Sequence, residues 1–139
     1  MIGRPRVIRG RGVLGGTAQG PALISRRTIT GWGGIDYRTG IITEPGLPLR
    51  GRCLKGQILI LEGSRGSNGW SAFFHAAQAA GFGPAALVFP RLDSRTALTA
   101  AVLNIPLITD LDQDPFDLIG LGDPVRVDAD KGELALLSL

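Results

Sequence analysis

Three short apolar runs, at 57–61, 85–89 and 105–109, are separated by two stretches of helical periodicity, and this alternation leaves the chain few ways to fold. The runs are uniformly apolar rather than alternating, as in Ile58-Leu59-Ile60-Leu61, a pattern suited to strands covered on both faces. Between the first two, Trp70, Phe73, Phe74 and Ala77 recur at i, i+3, i+4 and i+7, which predicts a helix over 70–80 closed by Gly81. A second helix is expected from Ser94 to about Val102, capped by Asp93 or Ser94. Strand, helix, strand, helix, strand with short connections predicts a parallel βαβαβ unit with right-handed crossovers.

The flanking segments read differently. Residues 1–56 are Gly-rich, with short β-like runs at 7–8, 22–25 and 27–30 punctuated by turn signals, so the first third is expected to be strands and loops. The tail offers one helical turn near 116–119, then strands at 124–127 and 133–137 joined by a turn at Asp130-Lys131-Gly132. With neither repeat nor linker, 139 residues make one α/β domain, 1–139, in which 1–19 is expected to form a basic N-terminal arm.

Between the first strand and the first helix lies Gly63-Ser64-Arg65-Gly66-Ser67-Asn68-Gly69-Trp70-Ser71. A Gly/Ser loop here presents backbone N–H groups beside the positive end of a helix dipole, where anions bind. Nucleotide-binding patterns do not fit. No Lys follows Gly66 or Gly69, and the glycine spacing is not that of a dinucleotide fingerprint. Two readings remain open. Ser67 or Asn68 caps the helix. Alternatively Ser67 is an acid–base serine, with Arg65 and the loop amides holding a substrate carboxylate or phosphate. A serine hydroxyl is a poor base unless its alkoxide is stabilised by N–H donors and cations, and this chain supplies few cations near the loop, so such chemistry points to a second protein.

The remaining reactive groups narrow the field. Cys53 and His75 are the only residues of their kinds, so no internal disulfide forms and the chain is expected to bind no metal by itself. His75 falls on the solvent side of its helix. Asp110, Asp112, Asp114 and Asp117 lack the Gly and Glu of an EF-hand loop. The net charge of +3 owes much to Arg4, Arg6, Arg9 and Arg11, but no aromatics accompany them to stack bases, so no nucleic-acid partner is expected. No apolar stretch reaches the roughly 18–20 residues of a membrane span, and a cytoplasmic protein is the default.

A set of motifs then carries a resemblance. Gly31-Trp32-Gly33-Gly34-Ile35-Asp36-Tyr37-Arg38-Thr39-Gly40, Leu47-Pro48-Leu49-Arg50-Gly51, Lys55-Gly56-Gln57-Ile58-Leu59-Ile60, Arg65-Gly66-Ser67, Gly83-Pro84-Ala85 and Ile105-Pro106-Leu107 occur in this order. The chain resembles the small, swivel-domain subunit of the aconitase X family of dehydratases. The resemblance implies a swivelling β/β/α domain paired with a large catalytic subunit, which supplies the cysteines of an iron or iron–sulfur centre. It implies that Ser67 accepts the proton in a water-eliminating reaction, and loop geometry is expected to set Arg65, Gly66 and Asn68 along the anion side. Ser71 is expected to cap or brace the helix, and Gly33, Gly34 and Asp36 to shape a turn. After Ser67 the chain departs from the family, with Asn68-Gly69-Trp70 where another Ser or Thr and a Gly are common.

Two substrates follow from the family: cis-3-hydroxy-L-proline, dehydrated to Δ1-pyrroline-2-carboxylate, and (R)-5-phosphomevalonate. The Arg/Ala/Gly-rich composition, poor in Lys and Glu, favours the bacterial hydroxyproline enzyme as the expectation. The phosphomevalonate enzyme and a non-catalytic binding module that kept the fold are the alternatives.

Overall fold

The structure, a computed structural model, describes residues 6–29, 34–63 and 70–137. Among these residues, strands and helices follow one another as β1 (Arg6–Arg9), β2 (Arg11–Leu14), β3 (Thr17–Ser25), β4 (Ile35–Asp36), β5 (Ile41–Ile42), β6 (Ile58–Leu61), α1 (Trp70–Ala79), β7 (Ala86–Val88), α2 (Ser94–Leu103), β8 (Leu107–Thr109), α3 (Pro115–Leu118), β9 (Pro124–Asp128) and β10 (Glu133–Leu136). The expected βαβαβ unit is β6-α1-β7-α2-β8, and its strands pair in parallel.

Eight strands form one sheet in the order β1-β10-β9-β3-β6-β7-β8-β2. Two corners bend it into two layers. At one, β3 changes partner midway: Thr17 to Pro21 pair antiparallel with β9, and Ala22 to Ser25 pair parallel with β6. At the other, β1 pairs with β10 while β2, one residue later, pairs with β8. The sheet therefore closes on itself through the covalent chain at Gly10. A side chain there has no room, since a Cβ would lie 2.5 Å from the Thr109 carbonyl oxygen. Residues 6–14, expected as part of a basic arm, are thus structural strands. Their partners lie about a hundred residues away, beyond the reach of any local pattern.

Alternation along the central strands sorts two cores. Ile58 and Ile60 of β6, with Ala22, Ile24, Val88 and Ile108, face β9 and β10, where Val125, Val127 and Leu134 meet them. Leu59 and Leu61 point the other way, with Leu23, Leu87 and Leu107, onto Phe74 and Ala77 of α1 and Ala100 and Leu103 of α2. The three layers are sheet, sheet and helices. All four β6 side chains are buried, which accounts for the uniformly apolar run. Each such Leu or Ile contributes roughly 1.5–3 kcal/mol from its removal from water.

Local rules set the helix ends. Asp93 caps α2 through a capping box: its carboxylate accepts from the Thr96 amide at 2.8 Å, and its own amide donates to Thr96 Oγ1 at 2.9 Å. Asn104 ends the helix in the left-handed region at φ 52°. Gln78 Nε2 donates to the Leu103 carbonyl at 2.9 Å, tying α1 to the end of α2. The run at 27–30 is not a strand over its described residues. Ser25 Oγ donates to the Arg27 carbonyl at 2.7 Å and turns the chain where β3 ends.

Candidate functional site

Strands β3, β6, β7 and β8 run parallel, so all four release the chain at one edge of the sheet. Open α/β sheets bind ligands in the crevice beyond their carboxyl ends, because loops from several strands converge there. In this protein the edge gathers Arg26, Arg27 and Thr28 after β3, Glu62 and Gly63 after β6, Pro90 and Arg91 after β7, and Asp110 and Asp112 after β8. An open cleft of about 310 Å³ lies on it, lined by Glu62, Pro90, Arg91, Asp112, Asp114 and Phe116 among others.

The Gly/Ser loop starts from this edge. Thr28 Oγ1 donates to the Gly63 carbonyl, and a Cβ at Gly63 would lie 3.4 Å from Asp93 Oδ2. The point of departure is therefore clamped between the end of β3 and the cap of α2. Arg65, Gly66, Ser67 and Asn68, the expected site residues, lie outside the described residues, as does Gly33. Past the loop, Ser71 in the first turn of α1 is 8% exposed and shares a buried face with Phe74 and Ala77. That burial suits a bracing role. His75 is exposed, as its helical position requires.

Asp36, expected to shape a turn, does so between β4 and β5. Its carboxylate accepts from the Arg38 amide at 3.0 Å, and its carbonyl accepts from the Gly40 amide at 2.8 Å. Gly34 is buried at the start of this hairpin, and its carbonyl accepts from the Thr43 amide at 2.9 Å.

Electrostatic order at the edge comes from pairs between arginines and the aspartates of the tail. Arg26 Nη2 reaches Asp114 Oδ2 at 2.9 Å and Asp117 Oδ1 at 3.1 Å, and its guanidinium lies 5.0 Å from the Phe116 ring centre. The hydrogen bond from Arg26, helped by the Phe116 amide, holds the Asp114 carboxyl below its ordinary pKa. Asp114 raises that of Arg26 in return. Arg11 pairs with Asp110 at 2.8 Å, and Asp112 accepts the Arg9 amide at 3.0 Å. Three of the four aspartates thus pair with an arginine guanidinium, and Asp112 with a backbone amide. Arginine as the partner of this acidic run was not anticipated from the sequence, although Arg26 stands at a visible strand end.

The residues present do not suit a metal centre. Among those described, no group of three or more His, Cys, Asp or Glu side chains converges. Cys53 sits in the segment leading into β6, away from the carboxyl edge, and its Sγ contacts the Thr39 carbonyl at 3.4 Å. No described helix is long and apolar enough to cross a membrane.

A two-cornered β/β/α domain, with a Gly/Ser loop launched from the carboxyl edge of its parallel strands, defines a swivel-type domain. The aconitase X swivel domain family matches residues 7–136, and the chain belongs to that family. Among its relatives is the phosphomevalonate dehydratase small subunit of Methanocella arvoryzae, 36% identical over 129 residues, covering 93% of this chain and 98% of that one. The subunit of the same name from Pyrococcus furiosus is 33% identical over 131 residues, covering 94% and 96%. The crystal structure of Thermococcus kodakaraensis aconitase X in its holo form superposes with a TM-score of 0.87 at 31% identity, covering 96% of this chain and 99% of that one. The solution NMR structure of a UPF0107 protein superposes with a TM-score of 0.83, also at 31% identity, covering 96% and 100%.

Proposed function

We propose that this chain is the small subunit of a two-subunit phosphomevalonate dehydratase. The observation that carries the reading is near-full-length similarity, at 36% and 33% identity, to small subunits of that name. It displaces the hydroxyproline expectation, which rested on bulk composition. Composition reflects how a surface is solvated across the whole chain, whereas substrate choice depends on a few groups lining one pocket. A dehydratase removes a proton from one carbon and hydroxide from its neighbour, leaving a carbon–carbon double bond and water.

In this reading Ser67 accepts the proton. Its loop follows Gly63 at the edge and precedes α1, so the positive end of the helix dipole and the Arg65 guanidinium would stabilise the alkoxide. Arg65, Gly66 and Asn68 are proposed to line the anion side of that loop. The family implies an iron or iron–sulfur centre. With no fitting donor set among the described residues, we assign that centre to the large subunit and route no step of this chain through it. Isolated, the small subunit is inert.

Reconstitution of this chain with its large subunit, assayed against phosphomevalonate and cis-3-hydroxy-L-proline in parallel, tests the reading. Turnover of the phosphorylated substrate is the expected result. Turnover of hydroxyproline alone would reverse the substrate, and turnover by the small chain without a partner would reject the division of labour.

A further inference from the structure

Most arginines at the carboxyl edge are neutralised by carboxylates. Arg26 is held by Asp114 and Asp117, Arg11 by Asp110, and Arg27 lies 4.0 Å from Glu44 while donating to the Gly46 carbonyl at 2.7 Å. Two are not. Arg91, which lines the cleft, and Arg95, in the first turn of α2, have no ion pair among the described residues. Arg95 is partly buried, and its Nε is shielded from solvent with no hydrogen-bond partner among the described residues. A guanidinium N–H withdrawn from water and left unmatched is unfavourable, and an oxyanion on the same group removes the penalty.

We infer that Arg91 and Arg95 recognise the phosphate monoester end of the substrate and set the preference for phosphorylated over unphosphorylated hydroxy acids, an inference that rests on the phosphomevalonate reading above. At the start of α2 the Thr96 amide is already taken by the Asp93 carboxylate and the Ala97 amide by the Asp93 carbonyl. The guanidinium groups carry full charge, and their planar forks match phosphate oxygens. Asp93 lies between them in sequence and against Gly63, the residue from which the loop carrying the proposed base departs. Of the carboxylates lining the cleft, Asp114 is engaged by Arg26 and Asp112 by the Arg9 amide. Glu62 remains and acts electrostatically on Arg26, so among the described residues Arg91 and Arg95 are the edge cations with no ion pair.

The test uses the reconstituted two-subunit enzyme with Arg91→Ala, Arg95→Ala, Arg95→Lys and the double alanine variant. Inorganic phosphate serves as a competitive probe beside phosphomevalonate. The expected result is a KM for phosphomevalonate and an inhibition constant for phosphate that both rise about 10- to 100-fold in the double variant, with kcat within about threefold, because uniform binding is what is lost. Arg95→Lys should fall between wild type and alanine, since it keeps the charge and loses the fork. Arg91 is exposed, so its single variant reads binding even if Arg95→Ala impairs folding. Unchanged KM and phosphate inhibition, or a fall in kcat at constant KM, would overturn the assignment. If the wild-type enzyme dehydrates only hydroxyproline, the substrate reading fails on its own. Phosphate inhibition abolished in the double variant would then still uphold the arginine pair, and wild-type enzyme insensitive to phosphate would remove it as well.

Discussion

Arg26 and Asp114 meet at 2.9 Å although 88 residues separate them, and the contact fastens the end of β3 to the start of α3 beside the cleft. Asp114 also caps α3 through the Phe116 amide at 2.9 Å. Its carboxyl has a folded pKa below the unfolded one, so the folded protein binds fewer protons there than the unfolded chain. The contribution is complete above the ordinary aspartate range and is lost as the pH falls through the depressed value. Acid titration followed by the Phe116 amide resonance should show α3 loosening on the acid side of that range. Asp114→Asn should remove the transition while leaving the rest of the sheet intact.

Gly12 tests the closure of the sheet. A Cβ at this position would collide with the Ala129 backbone carbonyl, an atom that cannot swing aside as a side chain would. Gly12→Ala is therefore expected to destabilise the fold by about 1–3 kcal/mol, the range for overpacking, with a lower midpoint in denaturant titration. A neutral result would mean that β2 and the Ala129 backbone can move apart.

Phe74 is fully buried where α1 meets the sheet. Phe74→Ala should cost about 3–5 kcal/mol and lower the melting temperature accordingly. The exposed His75, one residue on, provides the control: His75→Ala should leave stability within about 0.5 kcal/mol.

Asp93 joins the cap of α2 to the start of the loop at Gly63. Asp93→Ala is expected to lower stability by about 0.5–2 kcal/mol in chemical denaturation, as for loss of an N-cap. Asp93→Asn, which keeps an acceptor for the Thr96 amide, should recover most of that.

Ser67→Ala in the assembled enzyme should leave subunit association unchanged and lower turnover by about 10²- to 10⁴-fold, the usual effect of losing a general base. Gel filtration with steady-state assay of the same preparation checks both. Unaltered turnover would return Ser67 to a capping role.

Much of the central unit was legible in advance. The expected strands at 57–61, 85–89 and 105–109 became β6, β7 and β8 within two residues at their ends, and Asp93 capped the second helix as its position suggested. These features are local. A strand buried on both faces must be apolar throughout, and a cap must sit one residue before its helix. The double role of β3 was less visible, because nothing in 17–25 marks the point where its neighbour changes from β9 to β6.

The candidate site divides in the same way. The Gly/Ser loop and its serine can be read from the chain, since glycine spacing and a following helical stripe are properties of adjacent residues. Which cations stand free at the edge cannot. Arg26 and Arg95 look alike in sequence, yet one is neutralised by Asp114 and Asp117 and the other makes no ion pair among the described residues. That difference depends on which distant groups the closed sheet brings within 3 Å or so, and charge pairing acts through space rather than along the backbone. The chain alone settled the central βαβαβ unit and the family resemblance. Tertiary packing decided the closure at Gly10, the partners of the aspartates and the two arginines left for an anion.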